Sequence, residues 1–357
     1  MSSIAPPSPT EQAAPAGAVT GRRFDVNLRT SGIYFAFAAI VVLFDILTHG
    51  LLLRPENVSN LIVQNSYILV LAIGMILVII AGHIDLSAGS VVAVTGAVSA
   101  VLMVNHHMAW PLALVLTILV GALIGAWQGY WVAYFGIPAF IVTLAGMLVF
   151  RALTMTVLGN QGIGPFPDQV RTMSTGFIGS LFGNVGLGTL GGADLFTLLV
   201  GVLAVLAAVV VQWRARAAKI RYAQAVETPA LFAGKMALMA FVVLGICLQL
   251  ARYKNLPWVL VLLTVLVLGY SLAAGRTVFG RHIYAIGGNA QAAVLSGVKV
   301  RKVTFWIFVN MGVLAAVAGV VFAGRLNQAG PTAGTNFELD AIAAAFIGGA
   351  AVTGGVG

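Results

Sequence analysis

The chain alternates long apolar runs with short polar breaks, and most of the runs are long enough to cross a bilayer. A transmembrane helix needs about 20 mainly apolar residues. The pattern predicts nine such spans, and a tenth that begins near residue 340 and is cut off by the end of the chain. The nine lie near residues 31–48, 60–81, 86–104, 110–134, 138–158, 193–212, 232–251, 257–274 and 303–323. We therefore predict an all-α fold, a polytopic transmembrane helical bundle.

Composition supports a membrane protein with few polar segments. Hydrophobic residues make up 60% of the chain and charged residues 8%, whereas soluble domains carry about 25% charged residues. Residues 1–30 are largely rich in Pro, Ala and Ser without periodicity, so we predict a disordered cytoplasmic tail. Residues 31–357 then form one transmembrane domain. Two basic cytoplasmic segments are predicted within it, a linker at 213–231 and a longer island at 276–302.

The formal net charge of +9 reflects where the cations fall along the chain and does not indicate a nucleic-acid partner. With a cytoplasmic N-terminus, the parity of the spans places most cations inside, as the positive-inside rule requires. The inside cations are Arg22, Arg23, Arg29, Arg214, Arg216, Lys219, Arg221, Lys235, Arg276, Arg281, Lys299, Arg301 and Lys302. The outside cations are Arg54, Arg171, Arg252, Lys254 and Arg325. We predict a multi-pass protein that contacts membrane lipids and no nucleic acid.

The island at 276–302 has the sequence RTVFGRHIYAIGGNAQAAVLSGVKVRK. Its small-residue centre carries no negative charge and is bracketed by cations. Asn289 is a favoured N-cap residue, so we predict a short helix from Ala290 to Ser296 that stops at Gly297. Such a segment is suited to docking into a partner. A solvated loop whose cations only fix the topology explains the same residues.

Motifs for enzymatic chemistry are missing from the sequence. It contains no GxxxxGK[ST], HExxH, CxxC or GxSxG, and the single Cys247 lies within an apolar run. Residues 186–191 match GxGxxG, but no strand or βαβ unit surrounds them, so we reject a dinucleotide site. We expect no catalytic residue, no metal site and no cofactor on this chain. If ATP drives transport, another chain must bind it.

Acidic residues lie at two predicted membrane borders. Asp85 and Ser87 precede the third span, and Glu338 and Asp340 open the tenth. A negative charge at a helix N-terminus interacts favourably with the helix dipole, so N-capping explains these acids as well as substrate contact does. Their shared form, an Asp followed by a small-residue-rich helix, suggests two related halves. Arg151 lies near a predicted helix end, where we expect it to reach the interface.

Glycine spacing in the fourth span indicates helix packing. Gly121, Gly125 and Gly129 recur every four residues and therefore fall near one helical face. Small residues on one face let a neighbouring backbone approach closely. We predict that this face packs against another helix.

Several motifs together resemble one transporter family. They are IDLSAGS (84–90), IPAFIVTLAGMLVFRALT (137–154), TVFGRHIYAIGGNAQAAVLSGVKV (277–300), RLNQAGPTAGTNFELDAIAA (325–344) and IGGAAVTGGVG (347–357). The chain resembles the sugar-transport permeases of bacterial ATP-binding cassette importers, in the ribose, xylose and galactose branch. The extra basic linker and two helices between about 192 and 274, and GAWQGYWVAY (125–134), are similar to xylose permeases in particular. Such permeases continue past the GGVG segment, so we expect that the chain is either naturally short or truncated after Gly357.

The resemblance implies a set of partners and a coupling site. It implies a homodimeric permease of the bacterial inner membrane, a cytoplasmic ATPase that binds ATP and Mg²⁺, and a periplasmic sugar-binding protein that delivers a monosaccharide. It also implies that residues 284–297 sit in a cleft of the ATPase. The expected coupling residues are Tyr284, Ala285, Ile286, Gly287, Gly288, Asn289, Ala292, Ala293, Ser296 and Gly297. We expect valine at Gly287 or Gly288 to uncouple transport while expression stays normal.

Sugars are neutral and rich in hydroxyl groups, so their pathway needs hydrogen-bonding side chains. The substrate-pathway candidates are Asn65, Ser66, Asp85, Ser87, Thr143, Asn310, Glu338 and Asp340. The alternative for the amides and hydroxyls within the spans is a polar group satisfied by a neighbouring helix. The resemblance implies a pathway along the dimer axis, with most of the selectivity supplied by the binding protein.

An ATP-independent secondary transporter or facilitator of small polar solutes is the alternative function. A carrier driven by protons or sodium needs carboxylates buried within its spans. Asp45 is the only candidate that the sequence offers, which counts against this class. No constriction motif of a channel is visible.

Overall fold

The computed structural model describes residues 28–186, 192–351 and 354–355 of the chain. The described part is almost entirely helical. Its helices are α1 (Leu28–Leu47), α2 (Pro55–Ile80), α3 (Ala88–Ala100), α4 (Trp110–Phe135), α5 (Ala139–Leu158), α6 (Asp168–Thr175), α7 (Leu195–Arg221), α8 (Pro229–Ala251), α9 (Trp258–Arg276), α10 (Val278–Gly288), α11 (Ala290–Leu295), α12 (Val300–Leu326) and α13 (Phe337–Ile347). A π-helical turn, Val101–Asn105, extends α3. The short strands β1 (Asn184–Gly186) and β2 (Gly192–Asp194) pair as an antiparallel hairpin.

Every predicted span coincides with an observed helix, so the prediction of a polytopic helical bundle is confirmed. In the described ranges, eight helices are long and apolar enough to cross a membrane, namely α2, α3 with its π-turn, α4, α5, α7, α8, α9 and α12. Helix α1 begins inside the predicted tail, of which residues 1–27 lie outside the described residues. Residues 187–191 of the rejected GxGxxG match also lie outside them. The loop after α5 contains α6 and the hairpin, which the sequence did not predict.

The chain divides into two units, residues 1–49 and residues 50–357. The first contains α1, and the second is organised around α12, which packs against α2, α3 and α4. The glycine-lined face of α4 lies against α12. A Cβ atom added to Gly129 would lie 2.9 Å from the carbonyl oxygen of Phe305, and one added to Gly121 would lie 2.6 Å from Ala316 Cβ. The predicted packing role of these glycines is therefore confirmed.

A small apolar cluster shows which helix ends meet at one side of the second unit. It contains Met103 beyond the end of α3, Ala113 near the start of α4, Leu158 at the end of α5 and Ala323 near the end of α12. Helices α3, α5 and α12 therefore run in one direction, and α4 runs in the opposite direction.

Helices α7 and α8 pack mainly on each other and expose most of their apolar surface. In the most apolar window of each, 11% of the α7 residues and none of the α8 residues are buried. This exposure is expected of helices that face lipid. The predicted basic linker at 213–231 is mostly helix, since α7 continues to Arg221 and α8 begins at Pro229. Alanine, arginine and lysine are strong helix formers, which explains why α7 extends through the basic residues.

Asp194 caps the first turn of α7. Its carboxylate accepts hydrogen bonds from the backbone N–H of Thr197 (2.8 Å) and from the Thr197 hydroxyl (2.7 Å). Burial raises the pKa of this carboxyl, but the hydrogen bonds from Thr197, Ser180 and the Phe196 backbone outweigh that effect and hold the pKa below its ordinary value. The ionised form of Asp194 is thus favoured by folding.

Candidate coupling surface and translocation pathway

The island at 276–302 folds into two short helices joined at Asn289. Helix α10 ends at Gly288, and the Asn289 side chain accepts a hydrogen bond from the backbone N–H of Ala292 (2.9 Å) as the N-cap of α11. Gly297 follows with φ of 83°, a left-handed conformation that glycine adopts without steric cost. The predicted cap, helix and stop are therefore confirmed.

One face of this pair anchors it to the bundle, and the other is exposed. Ile283, Ile286 and Ala293 are buried in the main core cluster, so two of the expected coupling residues, Ile286 and Ala293, are anchors rather than free contact residues. The exposed members are Ala285, Gly288, Asn289, Ala292, Ser296 and Gly297, and the half-buried members are Tyr284 and Gly287. The structure adds Val294 and Leu295, which are 57% and 90% exposed.

Exposed cations lie before, within and after this helix pair along the chain. Arg276, Arg281, Lys299, Arg301 and Lys302 are all exposed. Among the residues that the structure describes, none of the five forms an ion pair. The surface therefore combines an apolar centre with an unneutralised positive rim. We name Val294, Leu295 and these five cations the coupling surface.

Gly287 joins α10 to two other backbone segments. A Cβ atom added there would overlap the carbonyl oxygen of Ile80 and the backbone nitrogen of Gly355, and would lie 2.9 Å from the Ile80 carbonyl carbon. The Gly355 N–H itself donates to the Ile80 carbonyl (2.9 Å). At Gly288, in contrast, an added Cβ meets nothing within 4 Å. The expectation that valine at Gly287 leaves folding intact is therefore wrong on steric grounds, whereas Gly288 remains open to substitution.

Two helices of the second unit begin within the thickness of the bundle. Gly96 in α3 packs against Gly319 in α12. Helix α3 begins eight residues before Gly96, and at 1.5 Å per residue this places its first residue about 12 Å closer to the start of α12 than Gly96 is. Since α12 has 27 residues, α3 starts well inside that length. Helix α13 starts beside the middle of α2, where the rings of Phe337 and Tyr67 lie 4.4 Å apart. Backbone that is not helical at this depth requires internal hydrogen-bond partners.

Asp85 supplies such partners before α3. Its Oδ1 accepts hydrogen bonds from the Ser87 backbone N–H (2.8 Å) and the Ser87 hydroxyl (2.6 Å), and Ser87 Oγ accepts one from Gln128 Nε2 (2.6 Å). Thr143 Oγ1 accepts from the Leu86 N–H (3.1 Å). Asp85, Ser87, Gln128 and Thr143 are at most 2% exposed. These contacts favour the capping interpretation of Asp85 over direct substrate contact.

Arg151 stabilises the segment that leads into α13, and Glu338 is buried close to it. Arg151 lies seven residues before the end of α5, and its guanidinium donates to the carbonyl oxygens of Ala333 and Gly334. The expectation that it reaches the interface is therefore wrong. Glu338 is 7% exposed, and its Oε2 has no hydrogen-bond partner among the described residues. The Arg151 guanidinium attracts the Glu338 carboxylate, whereas the Asp85 carboxylate repels it.

The N-termini of α3 and α13 meet at a backbone contact. A Cβ atom on Gly89 would overlap the Gly334 carbonyl oxygen and the Glu338 carboxylate. Asn336 precedes α13 in the left-handed region with φ of 65°, so α13 begins at Phe337 and Asp340 lies in its first turn, not before it. Asp340 therefore does not cap α13, because Asn336 occupies the N-cap position, although its charge in the first turn still suits the helix dipole. Sequence also did not reveal that Asp85 and Glu338 are buried carboxylates.

Polar groups are also exposed at the depth of Tyr67. Gln64, Asn65, Asn336 and Asp340 are exposed, and Arg325 donates to the Gln64 carbonyl oxygen (3.4 Å). Arg325 and Asp340 both lie within electrostatic range of the Tyr67 hydroxyl. We name these five residues the polar face. Side chains of this kind rarely face lipid within a bilayer, and Arg325 lies in the last turn of α12, so the face reaches that end of the bundle.

The eight pathway candidates separate by exposure. Asn65 and Asp340 lie on the polar face. Ser66 is buried and donates to the Val63 carbonyl of its own helix (2.9 Å), and half-buried Asn310 accepts from the Tyr270 hydroxyl. Asp85, Ser87, Thr143 and Glu338 are buried around the starts of α3 and α13. Sequence reasoning missed Gln64, Arg325 and Asn336, which only the packing of α2 against α12 and α13 reveals.

Comparison with known proteins places the chain in a family. The family described as "Branched-chain amino acid transport system / permease component" matches residues 57–356. The xylose transport system permease protein XylH of Escherichia coli (strain K12) is 39% identical over 354 residues, which cover 98% of this chain and 86% of XylH. XylH of Haemophilus influenzae is 39% identical, covering 93% and 85%, and the ribose import permease protein RbsC of Bacillus subtilis (strain 168) is 31% identical, covering 94% and 80%. No solved structure matches. The chain belongs to this family of transport-system permease components.

Proposed function

We propose that the chain is the permease subunit of an ATP-binding cassette importer that carries a monosaccharide, D-xylose or a similar pentose, across the bacterial inner membrane. The coupling surface carries the proposal, because a carrier that works alone has no need of an exposed apolar helix flanked in sequence by cations that no carboxylate in the described residues neutralises. The xylose relatives support the choice of sugar, since they align over nearly the whole chain. In this proposal the N-terminus is cytoplasmic.

The partner at the coupling surface is a cytoplasmic ATPase, which binds the ATP and Mg²⁺. Leu295 is 90% exposed, and an apolar centre with a polar rim is the usual composition of a protein–protein interface. The positive rim suits an acidic cleft on the partner, since complementary charge increases association rate and specificity. The buried side of α10 then links the ATPase to α2 through Gly287.

The polar face is the proposed sugar pathway, completed by a second copy of the chain. Asn65 and Asp340 provide the hydrogen-bonding groups that a neutral sugar needs, and Tyr67 adds an aromatic ring beside them. A periplasmic binding protein delivers the sugar. Because the two conformations of the permease must differ in their contacts with the ATPase, ATP binding shifts the population between them without a covalent step on this chain.

A co-purification experiment tests the docking step. Tagged permease is co-expressed with the candidate ATPase and recovered in detergent, alongside Leu295→Glu and the matched control Leu181→Glu. Leu181 is also an exposed leucine, at 62%, but lies in the loop after α6. We expect the wild type and the control to retain the ATPase and Leu295→Glu to lose it at an unchanged melting temperature. Equal retention by all three proteins would refute the assigned docking site.

A further inference from the structure

The ends of α7 and α8 that meet at the loop 222–228 concentrate positive charge. Arg214, Arg216, Lys219 and Arg221 lie on the last turns of α7, and Lys235 lies in the second turn of α8. Glu227 is the only acidic residue between positions 214 and 235. Basic residues at this point would be expected from the positive-inside rule alone. Their arrangement goes further than the rule requires.

Three of these cations line one cavity. It has a volume of about 190 Å³, and Arg216, Lys219, Lys235 and Glu227 all border it. Lys235 Nζ pairs with Glu227 Oε1 at 2.6 Å, and Arg216 Nη2 donates to the Glu227 backbone carbonyl (3.0 Å). In the described part of the chain no carboxylate pairs with Arg216 or Lys219, and the buried Arg216 Nε has no hydrogen-bond acceptor. The cavity therefore has donors and positive charge left over for an anion.

An apolar groove adjoins the cavity and shares Arg216 and Phe232 with it. Trp213, Ala217, Ile220 and Pro229 line the rest of the groove, whose volume is about 380 Å³. The Arg216 guanidinium lies 5.0 Å from the centre of the Phe232 ring, so one side chain separates the basic and the apolar compartments. Trp213 is 65% exposed, as is typical of tryptophan at a membrane interface. Both compartments lie on the helix pair that is exposed to lipid.

We propose that this end of α7 and α8 binds the headgroup of an anionic phospholipid, with the phosphodiester in the basic cavity and Trp213 on the bilayer side of it. A soluble phosphate could use the same cavity, but a lipid is favoured because the cavity lies where the apolar part of α7 ends. A diffuse attraction to anionic membranes would use all the cations equally. Basic sites beside transmembrane helices are known means of anionic lipid recognition. The site does not depend on which sugar the permease carries.

Quenching of Trp213 by brominated lipids tests the site in the full-length permease. The protein is reconstituted in phosphatidylcholine vesicles that contain equal small fractions of brominated phosphatidylglycerol or brominated phosphatidylcholine. The quenching of Trp213 is obtained by subtracting the fluorescence of the same protein carrying Trp213→Phe from that of each protein. We expect phosphatidylglycerol to be favoured at Trp213 by about five-fold or more, the effect of about one cation near a headgroup.

Two double variants remove the same charge from the same helix. Arg216→Gln with Lys219→Gln removes the cavity cations, and Arg214→Gln with Arg221→Gln removes neighbours that do not line the cavity. We expect only the first double variant to lose the preference for phosphatidylglycerol. If this double variant fails to fold, the single variant Lys219→Gln is measured in its place. Equal loss in both pairs would identify a diffuse charge effect and overturn the proposal. Abolition of the preference by millimolar soluble glycerol phosphate would overturn it too, because the ligand would then be a soluble anion.

Discussion

Alanine at Gly287 perturbs the point where the coupling surface joins the bundle. The added Cβ would overlap the Ile80 carbonyl oxygen and the Gly355 backbone nitrogen. Neither atom belongs to a flexible side chain, so the backbone of α2, α10 or the segment at Gly355 must move. Such movement also breaks the hydrogen bond from Gly355 N–H to Ile80 (2.9 Å). Gly288→Ala is the matched control, because its Cβ meets nothing within 4 Å.

The cost follows from these contacts. Inserting a methyl group into a packed site typically costs about 1–3 kcal/mol, and losing one backbone hydrogen bond costs about 1 kcal/mol. Gly287→Ala should therefore lower the free energy of unfolding by about 2–4 kcal/mol. At about 2 °C per kcal/mol or more, the melting temperature falls by at least about 4 °C. The control should change stability by less than about 0.5 kcal/mol.

Thermal melting in detergent and co-purification of the ATPase measure the two consequences together. We expect Gly287→Ala to melt earlier than the wild type and to retain less ATPase, while Gly288→Ala matches the wild type in both assays. If Gly287→Ala melts with the wild type, the backbone junction between α10 and α2 does not exist as described. If both variants lose the ATPase at normal stability, the junction glycines act by direct contact instead.

Three further predictions concern Arg151, Asn65 and Asp194. Arg151→Met should lower the free energy of unfolding by about 2 kcal/mol, because it removes charged hydrogen bonds to two backbone carbonyls. The exposed-pair control Arg171→Met should cost less than about 0.5 kcal/mol in the same denaturation assay. Asn65→Leu should reduce sugar uptake about ten-fold, the equivalent of about 1.4 kcal/mol, with the ATPase still bound. Ser66→Ala should keep uptake within about two-fold, because the Ser66 side chain is buried and does not reach the polar face. Equal effects of the two changes would remove the polar face from the pathway. Hydrogen bonds hold the pKa of Asp194 below its unfolded value, against the effect of burial. The ionised Asp194 carboxylate therefore stabilises the folded protein fully above the unfolded pKa, and this stabilisation is lost as pH falls through the folded pKa. Melting temperatures across acidic pH should show this loss in the wild type and a flatter profile in Asp194→Asn.

The spans were predictable because hydrophobicity over about 20 residues decides which segments enter a bilayer. The N-cap at Asn289 and the stop at Gly297 were predictable because they depend on local backbone chemistry. The extension of α7 to Arg221 was not predictable from the cation cluster, which is typical of a cytoplasmic loop, although the residues between the cations favour helix.

Depth and exposure were not predictable from the chain alone. Asn65 and Ser66 are adjacent and equally polar, yet one is exposed and the other buried, because α12 and α13 cover only one side of α2. Asp85 looked like a border residue since the sequence does not reveal that α3 begins inside the bundle. Leu295 was missed because an apolar residue in a short amphipathic segment is usually buried, and only the packing of Ala293 showed which face remains open.

Uptake of labelled xylose into proteoliposomes tests whether the chain is the permease subunit of an ATP-driven sugar importer. The vesicles contain the permease with the ATPase, the sugar-binding protein is added outside, and ATP with Mg²⁺ is supplied on the ATPase side. We expect uptake only when all three proteins and ATP are present, with none for labelled leucine and none when the permease carries Leu295→Glu. Xylose uptake by the permease alone, without ATP, would contradict the proposed function and identify a facilitator.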